Sequence, residues 1–132
     1  MIFVDTSFWV AVRNARDARH EEAAVVLGSV GEMHLVTSNH IRGETWTFLR
    51  TRVGHRSATA CLEALARSPR LEIVHIPQAM EDVALAWLRR HDERRYSFVD
   101  ATSFALMRSL KIKDALAYDA DFSAAGFREL RA

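Results

Sequence analysis

The sequence predicts an α/β fold in which a mainly parallel sheet lies between layers of helices. Short apolar runs of strand length alternate along the chain with longer segments whose apolar residues recur at helical spacing. Parallel strands need crossover connections, and helices usually supply them. The 5 glycines and 2 prolines are scattered, and no linker, repeat or low-complexity tract interrupts the pattern. We therefore expect residues 1–132 to form a single domain.

The first predicted strand, Ile2–Val4, is a short buried run. It ends at Asp5, Thr6 and Ser7, which are residue types that cap the start of a helix. From residue 17 to about residue 30 the apolar positions recur at helical spacing behind a polar start, which predicts an amphipathic helix.

The second predicted strand covers residues 35–37 and is again followed by a helix. Ser38 and Asn39 can cap that helix, and Gly54 ends it. A further helix is predicted from about residue 57 to residue 66.

Two prolines delimit the third predicted strand, residues 71–76. Pro69 marks the turn before it, and Pro77 suits the start of the next helix, where a missing amide proton costs nothing. In this helix we expect four residues to face the core: Val83, Ala84, Trp87 and Leu88.

The last part of the chain predicts one more helix and two strands. The helix spans residues 96–111, with Asp100 near its beginning. A strand at residues 115–118 is closed by Asp119, and residues 127–130 form an edge strand after a glycine.

Composition and charge exclude several classes of protein. With 49% hydrophobic and 27% charged residues, the composition is typical of an ordinary folded domain and not of a disordered protein. The 18 basic and 17 acidic residues give no global field that would attract a polyanion. Nothing approaches the roughly 18 to 20 apolar residues of a membrane span, and Asp5 interrupts the run that a signal peptide needs. With one cysteine, Cys61, we expect a cytoplasmic protein without membrane association.

Four carboxylates are predicted to meet at one edge of the sheet. Ligand crevices of such sheets lie beyond the carboxyl ends of the strands, where Asp5 and Asp119 are expected. Glu44 and Asp100 belong to helices that begin near the same edge. Such a cluster, of charge about −4, is unstable without cations or protons. Mg²⁺ or Mn²⁺ prefers carboxylate oxygens and supports phosphodiester hydrolysis, so we expect a divalent metal site.

Each acid also has a structural interpretation. Asp5 suits a helix cap, and Asp100 suits the first turn of a helix, where it would interact with the helix dipole. Glu44 could be an ordinary surface residue whose stem packs on the helix. Asp119 and Asp121 flank a turn in which short acids often accept local hydrogen bonds. Of these last two, Asp119 is preferred because it follows the predicted strand directly.

Other catalytic chemistry has little support. The 6 histidines have no cysteine at zinc-ligand spacing, and the glycine-rich phosphate-binding motifs are absent. Cys61 lies in an apolar helical pattern typical of a core thiol. The sequence contains two groups of arginines, at residues 50, 52 and 56 and at residues 89, 90, 94 and 95. These groups either form solvated surfaces or, if they flank the acids, contact the phosphate backbone of a nucleic acid.

Two further functions remain open at this stage. Asp5 could be the nucleophile of a phosphatase, although Ser7 stands where such a motif requires a second acid. Alternatively, the chain could be a non-catalytic interaction module in which the acids cap helices and tryptophans such as Trp9 and Trp46 bind a partner.

Four segments in a fixed order resemble one family. They are Ile2–Ser7, the mid-chain Glu44, Ser97–Phe104, and Ala117–Phe122 followed by Gly126–Phe127. Together they resemble PIN-domain ribonucleases, in particular the VapC toxins of bacterial toxin–antitoxin pairs, over essentially the whole chain. The resemblance implies a PIN-like three-layer α/β/α sandwich.

The resemblance also implies a function and a site. Such proteins are Mg²⁺- or Mn²⁺-dependent endoribonucleases that cleave cellular RNA (tRNA or rRNA). They are usually homodimers and are inhibited by a VapB antitoxin whose tail occludes the site. The implied catalytic and metal-binding residues are Asp5, Glu44, Asp100 and Asp119, with Thr6 and Ser103 as polar supports and Asp121 as a variable extra acid. One position departs from the pattern: Ala117 stands where relatives often have Thr, so a hydrogen bond that supports Asp119 is expected to be missing.

Overall fold

The computed structural model describes residues 1–132 and contains five strands and seven helices. In chain order these are β1 (Ile2–Val4), α1 (Thr6–Arg13), α2 (His20–Ser29), β2 (Leu35–Ser38), α3 (Asn39–Arg52), α4 (His55–Arg67), β3 (Leu71–Val74), α5 (Gln78–Arg90), α6 (Phe98–Ser109), β4 (Asp114–Leu116), α7 (Asp121–Ala124) and β5 (Arg128–Glu129). None of the helices is both long enough and apolar enough to cross a membrane.

All five strands are parallel and follow the order β3-β2-β1-β4-β5. At the centre of the sheet, Phe3 of β1 lies between Val36 of β2 and Ala115 of β4. The predicted α/β class, with a parallel sheet flanked by helices, is confirmed. Because β1 and β4 are neighbours and parallel, the residues that follow them emerge side by side at the same edge.

The core contains a cluster of aromatic rings around Phe104 of α6. This side chain is fully buried. Its ring centroid lies 5.0 Å from that of Phe122, 5.3 Å from that of Trp87, 5.7 Å from that of Tyr96 and 5.6 Å from that of Phe127. Phe122 also stacks on Phe3 of the central strand, so the cluster fixes α6 against the sheet.

The predicted strands at residues 71–76 and 115–118 are shorter in the structure. The third strand stops at Val74, and β4 stops at Leu116. The amide of Tyr118 donates to the Ser7 side chain, so it is not available for pairing with another strand. Asp119 therefore lies in a turn rather than directly after the strand. The short helix α7 and the left-handed backbone of Ala120 (φ 65°) in this turn were not predicted.

Val83 does not face the core, contrary to the prediction. It is 59% exposed, whereas the adjacent Ala84 is fully buried against Ala101 and Ala105 of α6. Consecutive helical residues point about 100° apart, so two neighbours seldom face the same packing partner. Trp9 is buried in the core, which removes it from the partner surface that the interaction-module hypothesis requires.

Candidate metal centre

Three aspartates meet beyond the carboxyl ends of β1 and β4. Asp5 directly follows β1, Asp119 lies in the turn after β4, and Asp100 belongs to the first turn of α6. One carboxylate oxygen from each lies within 4.8 Å of the others. We call these residues the three-aspartate cluster. It lies in a cleft of about 560 Å³, the acidic cleft, whose lining also includes Glu44 and Asp121.

Each aspartate of the cluster uses only one carboxylate oxygen for local hydrogen bonds. Asp5 Oδ2 accepts from the Ser7 amide at 3.1 Å and from the Ser7 hydroxyl at 2.7 Å. Asp100 Oδ2 accepts from the Ser97 amide at 3.0 Å, and Asp119 Oδ1 accepts from the Asp121 amide at 3.1 Å. The second oxygen of each carboxylate remains available to a ligand.

The structural roles predicted for Asp5, as a helix cap, and for Asp100, in the first turn of a helix, are confirmed. Asp5 is the N-cap of α1, and Asp100 forms a reciprocal capping box with Ser97 at the start of α6. Capping holds each carboxylate through one oxygen and leaves the other without a hydrogen bond. A cap and a metal ligand are consequently compatible roles for the same side chain.

Burial and mutual repulsion disfavour the charged forms of these acids. Asp5 and Asp100 are buried, with 3% and 8% of their surface exposed. Loss of hydration raises the pKa of Asp5 well above its usual value, and repulsion from Asp119 adds to this rise. Loss of hydration is also the main cause that raises the pKa of Asp100 to about 7 and the pKa of Asp119 to about 6. A bound cation would relieve this cost by neutralising the carboxylates.

Glu44 lies beside the three-aspartate cluster without joining its closest group. It projects from α3, and its Oε1 accepts a hydrogen bond of 2.6 Å from the Thr6 hydroxyl. Thr6 in turn contacts Thr45 at 3.4 Å through their hydroxyls. This contact between α1 and α3 fixes the fourth predicted acid at the wall of the cleft. The role of Thr6 as a polar support of a metal site stays a prediction.

The two remaining predicted residues differ in their contacts. The hydroxyl of Ser103 is fully buried and donates to the Val99 carbonyl at 2.8 Å, so it supports the helix backbone and makes no hydrogen bond to Asp100. Asp121 lines the acidic cleft and forms an ion pair of 2.9 Å with Arg94. Of the two arginine groups, only Arg95 lines the cleft.

Ser7 is a site residue that the sequence reasoning missed. Its hydroxyl donates to Asp5 and accepts a 2.9 Å hydrogen bond from the Tyr118 amide, next to Asp119. Its position two residues after Asp5 was visible in the sequence, but its partner lies 111 residues away. Ala117 offers no hydroxyl to Asp119, and the hydrogen bond that Asp119 does accept comes from the Asp121 amide.

The donor set fits a hard divalent cation. The three aspartates bring one carboxylate oxygen each within 4.8 Å of the others, and no nitrogen or sulfur ligand belongs to this group. Each aspartate also has one oxygen that accepts no hydrogen bond. Mg²⁺ and Mn²⁺ prefer oxygen ligands of this kind, whereas zinc sites usually contain histidine or cysteine.

Comparison with known proteins agrees with this geometry. The PIN domain family matches residues 2–128. The chain belongs to the PIN domain family. Two curated relatives, both named 23S rRNA-specific endonuclease VapC20 and from two strains of Mycobacterium tuberculosis, are 54% identical over 131 residues. The match covers 99% of this chain and 98% of each relative.

Solved structures lead to the same family. The crystal structure of Mycobacterium tuberculosis VapC20, described as a sarcin–ricin loop cleaving toxin, has a TM-score of 0.95 at 53% identity, with 100% of both chains covered. The crystal structure of FitAcB from Neisseria gonorrhoeae has a TM-score of 0.71 at 16% identity, covering 98% of this chain and 96% of that one. This second likeness supports the fold alone. The predicted resemblance to VapC-type PIN-domain nucleases is confirmed.

Proposed function

We propose that this chain is a metal-dependent endoribonuclease toxin that cuts 23S rRNA in the sarcin–ricin loop. The observation that carries the proposal is the three-aspartate cluster, in which each carboxylate keeps one oxygen free of hydrogen bonds. The choice of RNA rests on the VapC20 relatives, which are named for 23S rRNA and for that loop.

In the proposed mechanism, Asp5, Asp100 and Asp119 would hold Mg²⁺ or Mn²⁺. When bound, the ion supplies activation of water and neutralisation of charge for hydrolysis of a phosphodiester. Glu44, oriented by the Thr6 hydroxyl, adds a fourth carboxylate for a second ion or for a proton. Local hydrogen bonds of 2.7 Å on Asp5 and 3.0 Å on Asp100 orient these two carboxylates, so they would need little rearrangement to bind an ion.

The proposal extends to partners. A toxin of this type would act in the cytoplasm, where ribosomes are found, and would be inhibited by a VapB-type antitoxin that occludes the acidic cleft. A homodimer is proposed as its working form. Asp121 is proposed as an accessory acid, because it lines the cleft while its Oδ1 is already paired with Arg94.

The experiment is cleavage of 23S rRNA, and of a short hairpin carrying the sarcin–ricin loop, by the purified protein with Mg²⁺, with Mn²⁺ or with EDTA. Asp5→Asn is prepared identically to expose contaminating nucleases. Asp92→Asn, which changes an exposed acid outside the cleft, is the matched control.

We expect cutting by the wild type and by Asp92→Asn in either metal, and no cutting in EDTA or by Asp5→Asn. Equal cutting by Asp5→Asn and the wild type would remove Asp5 from the mechanism. Cutting of the hairpin that continues in EDTA would contradict the metal dependence.

A further inference from the structure

Two aromatic residues, Phe48 and Tyr118, line the acidic cleft, and Phe48 is the one that is exposed to solvent. Phe48 of α3 is 37% exposed, whereas its neighbour Leu49 and the preceding Thr45 are fully buried. The face of α3 that meets the core is therefore made by other residues. An exposed Phe at the wall of a polar, acidic cleft contributes little to the core, so a role toward a ligand is the better explanation.

A cation supports this ring. The guanidinium carbon of Arg52 lies 4.9 Å from the Phe48 ring centroid, a distance typical of a cation–π contact. Glu44, Phe48 and Arg52 follow one another at i, i+4 and i+8, so they form a row along one face of α3. At about 1.5 Å of rise per residue, each step in this row is roughly 6 Å. The row leads from the acids to an aromatic ring and then to a positive charge.

We propose that Phe48, backed by Arg52, stacks against an unpaired base of the RNA beside the phosphate that is cut. This inference rests on the proposed ribonuclease function and adds a base-binding subsite to it. Proteins that bind single-stranded RNA stack splayed bases on aromatic rings and on arginine planes. Such stacking tolerates every base, so the subsite positions the strand and does not by itself read its sequence.

The charges around the ring favour a nucleotide over an apolar partner. Arg52 contacts the ring, and Arg95 lines the same cleft. These cations suit the phosphates on either side of a stacked base, whereas the acids of the cluster would hold the metal at the phosphate that is cut. The subsite therefore combines a π face with positive charge, which is the pattern of single-strand binding grooves.

The test measures binding separately from cutting. All variants are made in an Asp100→Asn background, which stops cleavage without changing Phe48, and the probe is a fluorescent hairpin carrying the sarcin–ricin loop. Dissociation constants in Mg²⁺ are measured for the background protein and for added Phe48→Ala, Phe48→Tyr and Val83→Ala. Val83 is an exposed apolar residue that does not line the cleft, so it serves as the matched control. Each loop nucleotide is then made abasic in turn.

We expect Phe48→Ala to weaken binding roughly 5- to 100-fold, while Phe48→Tyr and Val83→Ala stay within about twofold of the background. At one loop position, removal of the base should weaken binding by a similar factor in the background protein but by less than about twofold in Phe48→Ala. Such coupling identifies the base that stacks.

Two results would overturn the subsite. One is that Phe48→Ala and base removal weaken RNA binding additively at every loop position. The other is that Phe48→Ala binds RNA as the background protein does; a change in its oligomeric state would then assign the ring to a protein interface. Failure of the ribonuclease proposal is distinct, because it would appear as absence of metal-dependent cutting by the protein with Asp100 intact. The binding measurements answer the stacking question in either case.

Discussion

The Ser7 hydroxyl donates a 2.7 Å hydrogen bond to Oδ2 of Asp5. The Ser7 hydroxyl oxygen also accepts a hydrogen bond from the Tyr118 amide, so one small side chain joins the end of β1 to the turn that carries Asp119. Ser7 thereby positions two of the three clustered carboxylates relative to each other. Its contribution is geometric, since the hydrogen bonds leave Oδ1 of Asp5 unused.

Ser7→Ala should loosen this arrangement. The change removes a hydrogen bond from Asp5 and leaves the Tyr118 amide without its partner, which costs about 1–3 kcal/mol of unfolding free energy. Affinity for Mn²⁺ should fall roughly 10-fold or more, as is usual when a residue that orients a ligand is lost. Urea unfolding and calorimetric titration with Mn²⁺ measure the two effects.

Ser29→Ala is the control for Ser7→Ala, because the Ser29 hydroxyl bonds only the Val26 carbonyl near the end of α2. It should leave Mn²⁺ affinity unchanged. If Ser7→Ala also bound Mn²⁺ like the wild type, Ser7 would have no positioning role.

Asp100→Asn should weaken metal binding while keeping the fold. The asparagine oxygen can still accept the Ser97 amide at the start of α6, so the capping contact survives. Mn²⁺ affinity should drop by more than about tenfold, because a charged oxygen ligand is replaced by a neutral one. Calorimetry on this variant and on Asp92→Asn makes the comparison, and equal affinity of the two variants would remove Asp100 from the metal site.

Without metal, the protein should lose stability as pH rises. The pKa of Asp100 is about 7 in the folded protein, above the value of about 3.9 for an unfolded Asp. At pH values between these two pKa values, the folded state therefore binds more protons than the unfolded state. The free energy of unfolding consequently falls as pH rises from about 4 to about 7. In EDTA, the wild type should lose melting temperature relative to Asp100→Asn as pH rises, because the variant has no carboxylate to deprotonate at this position. The melting temperature of the variant minus that of the wild type should therefore increase from about pH 4 to about pH 7. A difference that stays constant with pH would contradict the raised pKa.

Protons and metal should compete for the same carboxylates. Because the pKa values of Asp100 and Asp119 are raised to about 7 and about 6, Mn²⁺ must displace protons at mildly acidic pH. Affinity for Mn²⁺ should therefore be weaker at pH 5.5 than at pH 7.5. Titrations at both pH values in buffers of different ionisation enthalpy would detect the released protons, and equal affinity with no proton release would argue against metal binding by these acids.

The products of RNA cleavage should carry 5′-phosphate and 3′-hydroxyl ends. Hydrolysis by water activated at a metal ion does not use the ribose 2′-hydroxyl as nucleophile. End-labelling of the fragments, before and after phosphatase treatment, identifies the termini. Products with 2′,3′-cyclic phosphates would rule out the proposed mechanism.

Phe104→Ala should destabilise the fold strongly. The ring is fully buried and contacts four other aromatic rings, so its removal should lower the free energy of unfolding by about 3–5 kcal/mol. Val25→Ala, at a position that is 60% exposed on α2, should cost less than about 1 kcal/mol. Urea denaturation of both variants tests this, and a similar loss in both would mean that the aromatic cluster does not anchor α6.

The sequence was sufficient to predict the fold class and the approach of the acids. Alternating strands and helices require parallel strands, and Asp5 and Asp119 follow two of them, so a shared edge is a consequence of topology. Asp100 joins them because α6 begins at that edge. Their role as metal ligands, and that of Glu44, stays a prediction.

Other features depend on contacts that local patterns do not contain. The Ser7 hydroxyl bonds an amide 111 residues away, and this bond accompanies the early end of β4. The exposure of Val83 follows from which side of α5 meets α6, and an apolar residue alone does not specify that side. For Phe48, spacing from Glu44 was visible, but its exposure depends on how α3 is rotated against the core.

The capping roles of Asp5 and Asp100 have an electrostatic consequence. Both residues stand at the amino ends of helices, so α1 and α6 direct the positive ends of their dipoles toward the carboxylates. These fixed partial charges offset part of the negative charge that the acids would otherwise present. The negative field at a cation bound there would therefore be weaker than the number of carboxylates alone implies. An approaching phosphate would likewise be repelled less.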